Sequence, residues 1–162
     1  MIPKKIHYCW FGDKPYPENV RKCIESWKKY CPDYEIIEWN QNNFDVNKVS
    51  YTREAYQAMK YAFVSDYVRL DVVYRYGGIY LDTDVELVRN IDDLLVNSCF
   101  MGCELPGRVA TGVGFGAEKE NKWILNNKNI YLDQNFIKNG TQNMTTCVEY
   151  TGFESISWTY FS

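Results

Sequence analysis

Two aspartates, Asp82 and Asp84, stand two residues apart after the short apolar run Ile79-Tyr80-Leu81. At the end of an extended strand, carboxylates at that spacing project to one side. Such a pair suits one hard divalent cation and the phosphate oxygens it would hold. The bare pattern is weak, because ten Asp in 162 residues give about 0.6 Asp-x-Asp triplets by chance. An acidic loop facing water is the plain alternative. The flanks raise the pattern above chance: the apolar strand delivers the carboxylates to a strand end, and Glu86 would extend the same charged face.

A second pair lies just upstream. The stretch around Phe63, Val64, Val68, Leu70, Val72 and Val73 is apolar on several faces, as a buried helix is. Asp66 and Arg69 interrupt it at i and i+3, on one face. Unpaired charge in such a helix is costly, so the two either form a structural ion pair or jointly grip a polar ligand. Arg75 has its own match in Asp71, at i and i+4. A third feature is Trp10, beside Phe11-Gly12 at the end of an apolar N-terminal run. A tryptophan there offers a flat face to a nucleobase, although core packing is the ordinary use of an isolated one. His7 alternates with Cys9 and Phe11 and reads as a core histidine rather than a base.

The elements that would position these groups can be read in order. Ile2 to Phe11 predicts a first strand closing at Gly12-Asp13. Pro17 opens a helix with Val20, Cys23, Ile24, Trp27, Tyr30 and Cys31 on one face, stopped by Pro32-Asp33. Tyr34 to Trp39 predicts a second strand, and Asn40 to Asn47 a polar loop. From Tyr51 a helix would place Ala55, Ala58, Met59 and Ala62 on one side and lead, either directly or through a break, into the Asp66 helix. Gly77 suits the left-handed position after that helix. Ile79 to Leu81 follows as a buried strand, with Val85 to Val88 as its continuation beyond the acidic pair.

Asn90 to Leu94 reads as a turn with one helical coil. Cys99 to Cys103 and Val109 to Phe115 are candidate strands around a Pro106-Gly107 turn. Glu118 to Gln134 predicts a helix with Trp123, Ile124 and Ile130 inward, and the tail from Asn139 carries no assignable pattern. Strands alternating with helices argue for an α/β sandwich on a mostly parallel sheet. Ligands of such sheets sit outside the carboxyl ends of the strands, where Trp10, Asp82 and Asp84 would meet.

Length fits a single domain spanning 1–162. A hydrophobic share of 46% and a charged share of 24% are those of an ordinary globular protein. A net charge of −3 argues against nucleic acid as a partner. The 17% aromatic share is high, and most of those rings are expected in the core. No apolar run reaches the roughly 20 residues of a membrane span, and MIPKKIHYCWFG is too short and polar for a signal peptide. The expected location is therefore the cytoplasm. Cys9, Cys23, Cys31, Cys99, Cys103 and Cys147 contain no CxxC pair and His7 is the sole histidine, so reduced thiols in apolar surroundings are expected rather than zinc or disulfides. Asn139-Gly140-Thr141 and Asn143-Met144-Thr145 match the glycosylation sequon but carry little weight without a secretory signal.

Taken together, the motifs resemble the Asp-x-Asp, sugar-binding glycosyltransferases of family 32. These are related to capsular-polysaccharide and mannosyl transferases and, more distantly, to the glucosylating domains of large clostridial toxins. The resemblance rests on the run from Ile2 to Gly12, on Ala62 to Arg69, on Tyr76 to Asp84, and more loosely on Gly112 to Ala117. It covers most of residues 1–130, the part expected to bind the nucleotide sugar. It implies a GT-A fold, a Rossmann-like α/β/α sandwich. It also implies a nucleoside-diphosphate sugar (a UDP- or GDP-sugar) held through Mn²⁺ or Mg²⁺.

Mapped by motif, Trp10 would stack on the base. Asp66 and Arg69 would hold donor-sugar hydroxyls, with Tyr80 and Asp82 near the ribose and the metal. Asp84 would bind the cation directly, and Asp82 would share it. Asp66, Arg69, Asp82 and Asp84 would thus carry the chemistry, transfer of the sugar to a glycan or lipid-linked hydroxyl with retention of anomeric configuration. Peripheral membrane association is compatible with that acceptor. Family members usually run well past 200 residues, and a late His- or Trp-bearing segment closes their site. Ser155-Ile156-Ser157-Trp158 is the nearest equivalent here, so a C-terminally shortened domain is expected, and Ala110-Thr111 stands where relatives often show Asn. Two other readings stand beside the transferase: a non-catalytic remnant that binds nucleotide sugar, and a metal-dependent phosphohydrolase using the same acidic pair.

Overall fold

The computed structural model describes residues 1–105 and 108–142. Its centre is a five-stranded sheet. In chain order the elements begin β1 (Lys5–Cys9), α1 (Glu18–Tyr30), β2 (Glu35–Trp39), α2 (Ser50–Gln57), α3 (Tyr61–Tyr76) and β3 (Gly78–Tyr80). After a single 3-10 turn at Asp92–Leu94 come β4 (Cys99–Met101), β5 (Cys103–Leu105), β6 (Arg108–Val109) and β7 (Phe115–Ala117). The described chain closes with α4 (Lys122–Ile130), a 3-10 turn at Tyr131–Asp133, and the hairpin β8 (Ile137–Lys138) and β9 (Thr141–Gln142). The sheet order is β2-β1-β3-β7-β4. β1 pairs in parallel with β2 and β3, whereas β7 runs antiparallel to both β3 and β4. Four strands therefore share one direction and β7 alone is reversed, the mostly parallel α/β/α sandwich expected.

Strand alternation feeds two cores. Ile6, Tyr8, Ile79 and Leu81 face Val20, Cys23, Ile24 and Trp27 of α1. Cys9, Tyr80, Phe115 and Ala117 face the other way, onto Val64, Val68 and Val72 of α3, with α2 and α4 packed outside it. That double cover explains why α3 is apolar almost all round: Val64 and the run from Tyr67 to Val73 are buried. Arg69 and Asp71 lie within that run and must find partners inside the protein.

The junction of α3 and β3 is tightly specified. Gly77 and Gly78 have φ of 64° and 113°, backbone that side chains rarely adopt. A Cβ on Gly78 would come within 2.9 Å of the Lys5 carbonyl oxygen and 3.0 Å of His7 Nε2. His7 is fully buried, as the alternation required. Its Nε2–H donates to the Gly77 carbonyl at 2.8 Å, and its Nδ1 accepts from the Trp39 indole at 3.1 Å. Burial lowers its pKa to about 4, so the ring is neutral.

Several expectations are corrected. Val85 to Val88 does not extend β3. The Val85 amide donates back to the Asp82 carbonyl, a turn, and the following chain is held by α1: Trp27 Nε1 donates to Val85 O at 2.8 Å, and Leu87 N to Ser26 Oγ at 2.9 Å. Val109 to Phe115 is not one strand either, since Val113 N bonds Ala110 O in a turn and β7 starts only at Phe115. The break before the Asp66 helix, one of the two alternatives, is present at Ala58–Lys60 with Met59 at φ 56°, and it resets the helical phase, so the single face expected for these residues does not form. Ala55 stays buried while Met59 and Ala62 face solvent. The Glu118 to Gln134 helix is shorter, starting after the N-cap Asn121 and buried chiefly through Ile124. Cys9, Cys23 and Cys31 are buried free thiols as expected, but Cys103 is exposed. Pro106-Gly107, the Asn143 sequon, Cys147 and Ser155 to Trp158 lie outside the described residues.

Candidate active site at the sheet edge

α3 begins beside the carboxyl ends of the parallel strands, and this places its first half against the exit of β3. The two charged pairs of the sequence meet there. Arg69 Nη2 lies 3.0 Å from Asp66 Oδ1 and 3.4 Å from Asp82 Oδ1. The guanidinium thus bridges a carboxylate of the helix and one from the acidic turn. Its Nε donates to Ser65 O at 3.2 Å, its Nη1 donates to Thr111 Oγ1 at 3.2 Å, and its plane lies over the Tyr80 ring, 5.0 Å from the centroid. The Tyr80 hydroxyl donates to Asp82 Oδ1 at 2.9 Å. Burial raises the Tyr80 pKa well above its usual value, so the phenol keeps the proton it donates. Below it Cys9 is buried, and burial pushes that thiol up to about 12, too high for a nucleophile.

The charge balance sets what this corner can do. Burial raises the Asp66 pKa to about 6; the Arg69 guanidinium opposes that shift and the Asp82 carboxylate adds to it. One arginine faces two carboxylates, with exposed Asp84 two residues further on. Excess negative charge next to a solvent-facing turn favours a cation. Asp82 keeps a third of its side chain exposed. Among the described residues no three His, Cys, Asp or Glu side chains gather into a closed cage. Two carboxylates on one turn, completed by water and substrate phosphates, nevertheless match the way Mg²⁺-like ions are held beside a diphosphate. The donor set fits such an ion. Because the Asp82–Val85 segment is a turn, the two aspartates are set by that turn and by α1, not by strand alternation.

The remaining expected residue, Trp10, follows β1 on the same sheet edge. Its amide bonds Trp39 O, its Nε1 donates to Lys14 O at 2.8 Å, and its ring meets Tyr16 edge-on at 5.0 Å. It stays half-buried. The structure therefore brings Asp66, Arg69, Tyr80 and Asp82 into direct contact, with Asp84 beside them and Trp10 along the edge. Thr111, 2% exposed, was missed by the sequence reading, which ran a strand through it. The glycines at 112 and 114, before β7 begins, were the available signal of a break.

Known proteins resemble this chain in sequence and in fold. The chain is 30% identical over 128 residues to inositol phosphoceramide mannosyltransferase 3 of Schizosaccharomyces pombe, covering 76% of this chain and 35% of that protein. It is 29% identical over 160 residues to the uncharacterized glycosyltransferase L373 of Acanthamoeba polyphaga mimivirus, covering 90% of this chain and 62% of the viral protein. The chain spans about a third of the length of the first of these and under two thirds of the second. Among solved structures the PaToxG glycosyltransferase superposes with a TM-score of 0.64 at 21% identity, over 94% of this chain and 69% of that one. A likeness at that identity speaks for the fold, which is of the GT-A type. A family model described as the glycosyltransferase sugar-binding region containing the DXD motif matches residues 17–101, just over half of the sequence, and this chain belongs to that family.

Proposed function

We propose that this chain binds a nucleoside-diphosphate sugar together with Mn²⁺ or Mg²⁺ and transfers the sugar, with retention of configuration, to a hydroxyl of a glycan or lipid-linked acceptor. The observation that carries the reading is the Arg69 bridge between Asp66 and Asp82, next to the exposed carboxylate of Asp84. Asp84, with Asp82, would hold the cation. The bound cation would neutralise charge on the diphosphate as it leaves. Asp66 and Arg69 are rigidly paired acceptor and donor groups, as recognition of sugar hydroxyls requires, and the Tyr80 hydroxyl keeps Asp82 turned toward the ribose and phosphate side. Trp10 offers its ring to the base. The name of the yeast relative specifies a mannosyl group and a phosphoceramide acceptor, which supports a hexosyl donor and a lipid-linked acceptor for this chain. No helix among the described residues is long and apolar enough to cross a membrane, so a lipid acceptor would be met at the surface of a membrane. The unbonded thiols of Cys9, Cys23 and Cys31 support a reducing compartment, and we place the reaction in the cytoplasm.

The test is nucleotide release from a panel of UDP- and GDP-sugars with Mn²⁺, in the chain and in Asp84→Ala. The expected result is metal-dependent release from one donor class that the variant lacks. Failure to bind any donor would defeat the reading. Binding without turnover would make the chain a nucleotide-sugar-binding module, and release of phosphate from simple phosphomonoesters would make it a phosphohydrolase.

A further inference from the structure

The turn between β6 and β7 touches both charged groups of the site. Thr111 Oγ1 accepts from Arg69 Nη1, and the Gly112 carbonyl accepts from the Asp82 amide at 3.3 Å. The Asp82 carboxylate lies against the bare Cα of Gly112: a Cβ there would stand 2.4 Å from Oδ2 and 3.5 Å from Arg69 Nη1. The turn is itself anchored. Val113 N bonds Ala110 O at 3.1 Å, Ala110 N bonds Gly102 O at 3.0 Å, and Gly102 N bonds Gly114 O at 2.6 Å. Asp82 is thus oriented from both sides, Oδ1 held by Tyr80 and Arg69 and Oδ2 backed by Gly112, while a third of the side chain stays open to solvent.

From these contacts we propose that Thr111 and Gly112 are positioning residues of the donor site, aiming Arg69 and Asp82 at the sugar and its diphosphate. The chemistry of Thr111 fits that task. A hydroxyl accepts a hydrogen bond from a guanidinium without neutralising it, so the cationic charge remains for the ligand. A third carboxylate in its place would hold Arg69 as well but cancel it. Gly112 serves by having no side chain, since any larger residue displaces the carboxylate it backs.

The proposal rests on the donor-binding reading above, and its test separates the two. Thr111→Val keeps shape and burial and removes the acceptor; Thr111→Ser restores it. If Thr111 acts through Arg69, which faces the sugar, the valine variant loses about tenfold in affinity for the intact nucleotide sugar. Affinity for the corresponding nucleoside diphosphate with Mn²⁺ stays within about twofold, and serine recovers the sugar-dependent part. Equal losses for both ligands, no loss, or failure of serine to rescue a normally folded protein would overturn the assignment. The second readout needs no ligand: the Arg69 side-chain Nε–H resonance, identified by its disappearance in Arg69→Lys, shifts or broadens in Thr111→Val and returns in Thr111→Ser. An unperturbed resonance in the valine variant would refute the clamp even if every donor bound, whereas a wild-type chain that binds no donor refutes the transferase reading and leaves this resonance to decide the clamp.

Discussion

One helix carries two arginine–aspartate pairs that fare in opposite ways. In the first half of α3 and at its middle, Asp66 and Arg69 form a corner that opens onto the sheet edge, where among the described residues Arg69 is the one cation paired with Asp66 and Asp82. Towards its end, the fully buried Asp71 is ringed by Arg75 Nε at 2.8 Å, Lys48 Nζ at 2.9 Å and Lys128 Nζ at 3.3 Å. Lys48 precedes α2 and Lys128 belongs to α4, so this second cluster ties three helical segments together. The first has too much negative charge and the second too much positive. An over-coordinated carboxylate is a structural rivet, whereas two carboxylates sharing one arginine beside exposed Asp84 leave negative charge for the proposed cation to offset. Residue type and helical spacing do not separate the two; the surplus does.

The hardest way to break the contrast is Asp71→Asn. Lys48 and Arg75 keep access to water, but Lys128, 14% exposed, loses its carboxylate, so a loss of about 2–3 kcal/mol is expected, on the order of 5–10 °C in melting temperature for a chain of this size. A melting curve that hardly moves would show that Asp71 is not a rivet.

Asp66→Asn should do the reverse. The folded pKa of Asp66, about 6, lies above its unfolded value, so its contribution to stability is present at low pH and is lost as pH rises through 6. The lowered pKa of His7, about 4, acts oppositely: stability falls as pH drops from 6.5 to 4, by roughly 3 kcal/mol. The two slopes oppose each other over that window, and Asp66→Asn unmasks the His7 slope while leaving the protein at pH 7 as stable or about 1 kcal/mol more so. Denaturant titrations at pH 4.5 and 7 check this, and parallel profiles for the two proteins would contradict it.

Exposed Asp84 sharpens the contrast from the functional side. Asp84→Ala should reduce Mn²⁺-dependent donor affinity at least about tenfold, with no change in melting temperature. Calorimetry in Mn²⁺ and in EDTA reads both quantities, and equal affinity in the two buffers would remove the cation from the account. The smallest effect belongs to Ser26→Ala, which deprives the Leu87 amide of its acceptor behind the acidic turn. A loss of about 1 kcal/mol in stability is expected, together with a loss of no more than about threefold in the same affinity. A larger drop in affinity than in stability would mean that α1, too, belongs to the site.

What could be read in the sequence followed local spacing. The i,i+3 pair at Asp66 and Arg69 and the i,i+4 pair at Asp71 and Arg75 are fixed by helical geometry, and both formed. Gly77-Gly78 marked the end of α3, and alternation placed His7 and Cys9 on the α3 side. The missing parts depend on partners distant in sequence. Lys128 reaches Asp71 across 57 residues, Trp27 holds Val85 across 58, and Thr111 meets Arg69 across 42. An extended run such as Val85 to Val88 looks the same whether its amides bond a strand or the side chains of a helix, and here α1 supplies them. The acidic pair thus follows β3 as its apolar flank implied, but the backbone that carries it is a turn and not a strand.

The reversal of β7 has a consequence for how this site tolerates change. Asp82 leaves β3 and Thr111-Gly112 approach β7, and those two strands are neighbours in the register Gly78 opposite Ala117 and Tyr80 opposite Phe115. The spacing of the two halves of the site is therefore a matter of phase between strands, not of loop length. Residues may be added between Gly102 and Ala110 so long as the ladder stays in step, but a slip of one residue carries Thr111 about 3.3 Å past Asp82 and turns Phe115 out of the core. Hydrophobic packing of Phe115 thus proofreads the placement of the Arg69 partner four residues away.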